Sequence, residues 1–208
     1  MHLKPSSGIR SILAVAFVVG AMGGAIGCRP DISELGVPLQ YAPTTDANTG
    51  SFTLPLHPAK VYVAPVVDDR DNKEAIGANE EDAKHIPILA QTTTPAQFVH
   101  DGIVSQLKSD GVQVVDTPDQ ADRVLTLTLL RFWAVEDPNY HAAVQVTVNL
   151  TDKTGANTLW TGGANGEDST FGRSLNADNY QQVLSNSVSK LANSLVTRPD
   201  FTKALSAE

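Results

Sequence analysis

Residues 142–155 read AAVQVTVNLTDKTG, and this stretch decides the fold. Valine and leucine alternate in it with glutamine, threonine and asparagine, which is the two-residue period of a strand with one buried face. Asp152-Lys153-Thr154-Gly155 has the composition of a tight turn between antiparallel strands. The stretch therefore predicts a hairpin in a sheet that is covered on one face.

Further strands are predicted on both sides of this hairpin. The segment before it alternates leucine with Thr126 and Thr128, and we expect the threonines to face away from the core, as Gln145, Thr147 and Asn149 do. A short hairpin or edge strand is expected between residues 76 and 89, where Pro87 favours an edge. The main strands are predicted at 60–67, 112–115, 121–135, 142–151 and 158–165.

Two segments have the spacing of amphipathic helices. Residues 94–109 begin with Thr94 as a candidate N-cap and Pro95 in the first turn, and Gly111 suits the end of the helix. Residues 176–196 place leucine and valine on one side and serine and asparagine on the other. The order β-α-β-β-β-β-α predicts one α+β domain over residues 59–208, a mainly antiparallel sheet with both helices packed on one face.

The first 27 residues have the three parts of a secretory signal. A basic start is followed by the apolar run 12–22 and then by small residues before Cys28, the one cysteine of the chain. The tetrapeptide Ala25-Ile26-Gly27-Cys28 resembles a bacterial lipobox, which implies cleavage after Gly27 and a covalent lipid on Cys28. A plain signal peptide with a leftover thiol and a short membrane anchor are the alternatives.

Composition narrows the possible partners. Loss of residues 1–27 removes Lys4 and Arg10 and no acid, so the net charge of −8 becomes −10. A chain this acidic, without a basic cluster, is not expected to bind nucleic acid.

Residues 28–58 contain five prolines and no lasting hydrophobic period, which predicts a flexible tether. Arg29 stands where an Asp would retain a lipoprotein at the inner membrane of a Gram-negative cell, which implies the periplasmic face of the outer membrane.

Two groups of residues are candidate functional sites besides the lipid attachment site. Asp68-Asp69-Arg70-Asp71 is the densest polar cluster. It is either a turn in which Arg70 pairs with an acid, or an acidic site for a cation or for acid–base chemistry.

Phe132 and Trp133 are adjacent and must point to opposite faces of their strand. We predict an exposed interaction patch of Leu130, Phe132 and Tyr140, unless the tether or the chain end covers it. The four histidines of the mature chain lack ligand spacing, and no metal or other cofactor is expected.

The segments together resemble the YajG-like family of bacterial envelope lipoproteins over residues 60–205. The resemblance is carried by Val66-Val67-Asp68-Asp69-Arg70, Ile76-Gly77, Gly111-Val112-Gln113-Val114, Ala121-Asp122-Arg123-Val124-Leu125, Asp152-Lys153-Thr154-Gly155 and the closing Ser/Asn-rich helix. It implies an envelope lipoprotein without known catalytic residues. The order of elements is also similar to that of auxiliary lipoproteins of ABC-type transport systems.

Three functions follow from these patterns. The first is a non-catalytic, lipid-anchored envelope protein that binds other envelope proteins. The second is an auxiliary lipoprotein of an ABC-type transport system, which would need an apolar cavity for lipid or another apolar ligand. The third is a hydrolase that uses the acids of residues 68–71, although the sequence contains no recognised catalytic motif. We favour the first and do not expect an enzyme.

Overall fold

The sheet and its helices are formed within residues 32–206. The structure, a computed structural model, describes residues 32–44, 55, 57–81 and 83–206. Its elements there are β1 (Leu35–Pro38), β2 (Val61–Val63), β3 (Val67–Asp68), β4 (Ala75–Asn79), β5 (Ile86–Gln91), α1 (Pro95–Ser109), β6 (Val114–Val115), β7 (Arg123–Asp137), β8 (Asn139–Asp152), β9 (Thr158–Thr170), α2 (Ala177–Val196) and α3 (Pro199–Ala204). The lipobox and Cys28 lie outside the described residues.

Strands β7, β8 and β9 form the predicted antiparallel meander. The turn between β8 and β9 is held by Asp152, whose carboxylate accepts hydrogen bonds from the Thr154 hydroxyl at 2.7 Å and the Asn157 side-chain amide at 2.6 Å. These hydrogen bonds lower the pKa of Asp152 to about 2. Gly155 completes the turn at a φ of +73°, where a side chain would be strained.

The other edge of β7 carries three short parallel strands in succession, β2, β3 and β4. The sheet then extends from β2 to β6 and from β4 through β5 to β1. The predicted single strand 60–67 is thus two strands, because Pro65 lies between them and has no N–H to donate. The result is a curled mixed sheet in which antiparallel pairing dominates.

The tether prediction for residues 28–58 is wrong over part of its length. Residues 35–38 form β1, which pairs in parallel with β5. Val37 and Leu39 are buried in the core, and the backbone N–H of Ala42 and of Thr44 donates to Ser185 and Asn186 of α2. A short proline-flanked strand at a sheet edge has too few residues to show a period, so the pattern missed it.

Both helices cover the same face of the sheet, which confirms the α+β prediction. Thr94 caps α1 by accepting from the Gln97 N–H at 3.2 Å, and Asn176 caps α2 by accepting from the Asp178 N–H at 2.9 Å. Edge-to-face aromatic pairs fill the space beneath the helices, among them Phe98–Phe132, with ring centroids 5.6 Å apart. No helix of the described residues is long and apolar enough to cross a bilayer.

A bulge in the middle of β7 decides which side chains face outward. The pairing of β7 with β8 shifts register between Leu129 and Arg131. Before the bulge the odd-numbered leucines are buried, whereas after it Phe132, Ala134 and Glu136 are buried. The extra residue therefore reverses the alternation and leaves Trp133 on the uncovered face.

The predicted interaction patch is wrong for two of its three residues. Phe132 is 1% exposed and Tyr140 is 0% exposed, so both belong to the core, and only Leu130 reaches the surface, at 39% exposure. For Phe132 the physical reason is the bulge, because uninterrupted alternation would have turned it outward, whereas Tyr140 lies in phase with the buried Ala142 and Val144 of β8. The predicted outward set, which includes Thr126, Gln145 and Thr147, does lie on the uncovered face.

Candidate functional site

The uncovered face of the sheet carries a groove around Trp133. Its volume is about 390 Å³, within the range of about 300–1,000 Å³ that is common for small-ligand sites. We call it the outer-face groove. It is lined by Arg131, Trp133, Val135, His141, Ala142, Ala143, Glu167, Asp168, Ser169 and Lys190.

The strand register explains the shape of the groove. Trp133 lies opposite Ala143, which in turn lies opposite Glu167. Strands are about 4.8 Å apart, so roughly 10 Å separates the backbone positions of Trp133 and Glu167. Because Ala143 carries only a methyl group, the surface of the sheet dips at Ala143 between the larger side chains of Trp133 and Glu167. The indole and the carboxylate face a shallow notch with alanine as its floor.

The charges of the outer-face groove are of two kinds. Asp168 is paired, since it accepts from Lys190 Nζ at 2.7 Å and from Asn186 Nδ2 at 2.9 Å. The side chains of Arg131 and Glu167 are exposed, and neither side chain has a hydrogen bond or an ion pair with another described residue. Among the described residues, the groove thus offers one cation and one anion without a side-chain partner beside an aromatic ring.

A second hollow of about 360 Å³ shares lining residues with the groove. The shared residues are Arg131 and Trp133. The second hollow is further lined by Arg70, Asp71, Asn72, Leu130 and Phe132. The predicted polar cluster and the exposed part of the predicted patch therefore lie next to the outer-face groove.

The polar cluster of residues 68–71 is organised by one ion pair. Arg70 is buried and donates from Nε and Nη2 to the Asp68 carboxylate, both at 2.9 Å. It also donates to the backbone carbonyls of Lys73 and Ala75, at 3.1 and 3.0 Å. Burial opposes ionisation of Asp68, but the Arg70 hydrogen bonds and charge outweigh it and lower its pKa. The turn interpretation of this cluster is confirmed, and Asp69 and Asp71 remain exposed beside it.

A buried carboxylate that sequence reasoning missed stands at the end of β7. Glu136 is 1% exposed, and one of its oxygens accepts from the Ser174 and Leu175 N–H groups at 2.8 and 3.2 Å. The other accepts from Asn79 Nδ2 at 2.7 Å and from the Tyr180 hydroxyl at 3.3 Å. Burial, and then the Glu136 charge, raises the pKa of Tyr180, so its hydroxyl stays a donor. This network joins β4, β7, α2 and the loop before α2.

The described residues contain no group of three His, Cys, Asp or Glu side chains that could hold a metal ion. His141 lines the outer-face groove, whereas His100 contacts Asp101 at 3.2 Å on α1. Glu167 and Asp168 belong to the groove, and Asp68 is already engaged with Arg70. The groove offers an aromatic face and opposite charges for the recognition of a ligand or a partner.

The fold and the groove define an α+β domain with a curled mixed sheet, two helices on one face and a polar, partly aromatic groove on the other. No family model matches the sequence, and neither does any curated protein. Among solved structures, protein XCC0632 from Xanthomonas campestris, described by the family model DUF330, is similar in fold, with a TM-score of 0.52 at 9% identity over 82% of this chain and 94% of that one.

Two further solved structures are similar to a lower degree. The lipoprotein GNA1162 from Neisseria meningitidis gives a TM-score of 0.35 at 13% identity, over 54% of this chain and 85% of that one. PelC from Paraburkholderia phytofirmans, solved as a dodecamer, gives 0.44 at 15% identity, over 71% of this chain and 95% of that one. At these identities the comparison with XCC0632 shows the fold alone. The YajG-like resemblance stays a prediction.

Proposed function

We propose that this protein is a lipid-anchored, non-catalytic module of the cell envelope that binds a partner through its outer-face groove. The anchor rests on the lipobox-like Ala25-Ile26-Gly27-Cys28, with Cys28 as the attachment site. Two acyl chains or more are needed for durable membrane attachment, and an acidic mature chain gives no electrostatic help at an anionic surface. The periplasmic face of the outer membrane is the proposed location, in keeping with Arg29.

The outer-face groove is the observation that carries the binding role. One sheet face packs against the helices and carries the core, whereas the other presents Trp133 beside Arg131 and Glu167. Partly exposed tryptophan and arginine are the side chains that most often dominate binding energy at protein interfaces. We therefore place the contact with an envelope protein partner at this groove.

The packing between the helices and the sheet weighs against the alternative function, that of an auxiliary lipoprotein of an ABC-type transport system. An auxiliary protein that handles lipid or another apolar ligand would need an apolar cavity, and the natural place for one is between helices and sheet. That space is filled by buried side chains, including Phe98, Phe132 and Tyr180. The outer-face groove is lined largely by polar and charged residues, whereas Leu130, Phe132 and Trp133 make the surface of the second hollow mainly apolar.

Photocrosslinking in intact envelopes tests this role. A photoreactive amino acid at Ser169, an exposed residue of the groove, is expected to capture a specific envelope protein. The matched control carries the same group at Thr147, which is exposed on the same face but does not line the groove. Trp133→Ala in the Ser169 background is expected to reduce the captured band at least about tenfold, as removal of an interface anchor does.

The comparison of capture from Ser169 with capture from Thr147 decides whether a partner binds at the groove. Equal capture from both positions, or capture that persists undiminished without the indole, would show that the groove is not where a partner binds. Trp133→Phe serves as the conservative variant and is expected to retain part of the captured band, because a ring still occupies the notch.

A further inference from the structure

We propose that the outer-face groove recognises a small zwitterion, a molecule with an ammonium group and an anionic group joined by a short chain. The inference rests on the proposed function, since it gives the chemistry of what the same groove binds. Arg131 and Glu167 line the groove together with Trp133, and their side chains carry opposite charges without a partner among the described residues.

The ammonium group is assigned to the notch between Trp133 and Glu167. A cation over an indole face is attracted by the ring quadrupole, and tryptophan is the strongest of the aromatic side chains in this respect. Glu167 faces the indole across Ala143, and a carboxylate adds charge-assisted hydrogen bonds to an ammonium. Ala143 leaves room for the group because its side chain ends at Cβ.

The anionic group is assigned to Arg131. The planar guanidinium presents paired donors that match a carboxylate or a phosphate in a bidentate manner. Arg131 lies two residues before Trp133 on β7, beyond the bulge, so its side chain leaves the same face of the sheet. It is offset from Glu167 along the strands and across two strand spacings, which leaves room for a ligand between the two charges.

Charge balance favours a zwitterion over a simple ion. Lys190 and Asp168 neutralise each other at 2.7 Å, so the unpaired charged side chains that remain among the described groove residues are Arg131 and Glu167. A simple cation would approach Arg131, and a simple anion would approach Glu167, each at an electrostatic cost. A ligand that carries both charges satisfies both residues at once.

The test uses two zwitterions and their halves with the full-length protein. β-Alanine and O-phosphoethanolamine have the same ammonium and two-carbon linker but end in a carboxylate or a phosphate. Ethylamine is the cationic half of both, and the anionic halves are propionate for β-alanine and ethyl phosphate for O-phosphoethanolamine. Binding is followed by fluorescence, in which Trp133→Phe identifies the signal of the groove because the other tryptophan, Trp160, is buried against Phe201.

At least one zwitterion is expected to bind about tenfold or more tightly than either half, the equivalent of one additional charged contact. Arg131→Gln is expected to lower that affinity to the level of ethylamine, and Glu167→Gln to the level of the anionic half of the same zwitterion. Tighter binding of O-phosphoethanolamine assigns a phosphate-bearing ligand such as a lipid headgroup, and tighter binding of β-alanine assigns an amino acid or a peptide terminus.

Two results would overturn the inference. One is that neither zwitterion binds more tightly than its halves, and the other is that both charge-removing variants keep the full affinity. If the zwitterions fail while crosslinking from Ser169 still depends on Trp133, the partner-binding function stands and only the ligand assignment is lost. Failure of both experiments removes both proposals.

Discussion

Gly166→Ala is expected to lower the free energy of unfolding by about 3 kcal/mol, since forcing extra volume into a packed contact costs about that much. Gly166 of β9 lies directly beneath α2. A Cβ atom at this position would overlap the carbonyl oxygen of Ser187 and the backbone of Leu191. Backbone atoms cannot rotate away, so the helix would have to move off the strand. Urea denaturation followed by circular dichroism measures the loss.

Gly163→Ala is the matched control for this prediction. Gly163 lies three residues earlier on the same strand, and a Cβ there would lie 3.8 Å from the Val146 carbonyl oxygen, an ordinary contact. Its free energy of unfolding is expected to stay within about 0.5 kcal/mol of the original protein. Equal losses in both variants would mean that glycine is needed in β9 for its backbone alone, and the close approach of α2 would not be its cause.

Glu136→Ala is expected to cost about 3 kcal/mol or more, because it removes the acceptor from a buried, charge-assisted network. The Ser174 and Leu175 N–H groups would lose their partner, and the Tyr180 hydroxyl would lose one of its acceptors. We expect amide hydrogen exchange to accelerate first in the loop before α2, since that loop is held to β7 by these bonds.

Two further variants separate the effect of losing the hydrogen-bond network on stability from the effect of losing a negative charge. Glu136→Gln keeps an oxygen acceptor of the same reach and is expected to cost less than the alanine variant. Asp137→Ala removes the neighbouring carboxylate, which is exposed, and is expected to change stability by less than about 0.5 kcal/mol. If Glu136→Ala unfolds at the same urea concentration as Asp137→Ala, the network does not stabilise the fold.

The α+β class and most helix and strand positions could be predicted from the sequence because they depend on local periodicity. Thr94 and Pro95 start α1 as expected, and the alternation of residues 142–151 predicts β8 with its buried face. The capping residues and the alternation each lie within one helix or strand, so these elements can be predicted without knowing which strands are their neighbours.

The bulge at Leu130 could not be predicted in this way. Leu129 and Leu130 are both apolar, so the sequence contains no polar residue that would mark the change of face. Uninterrupted alternation therefore places Phe132 on the outer face, whereas Phe132 is buried. With the bulge in place, the same alternation puts Trp133 outward and Glu136 inward, which are the two features that matter most for the site.

The outer-face groove also depends on pairing between distant segments. Trp133, Ala143 and Glu167 meet only because β7, β8 and β9 pair in one particular register. The hairpin turn at Asp152 fixes the register of β8 and β9, whereas the bulge fixes that of β7. Sequence reasoning had no means to place Glu167 on the same surface as Trp133.

The most direct test of the account is the intact mass and membrane fractionation of the full-length protein compared with Cys28→Ser. We predict that the original protein loses residues 1–27, gains the mass of its acyl chains and sediments with membranes, and that the variant shows no acyl mass and stays in the soluble fraction. A mature protein that carries no lipid and does not sediment would contradict the account, and the groove would then belong to a free secreted protein.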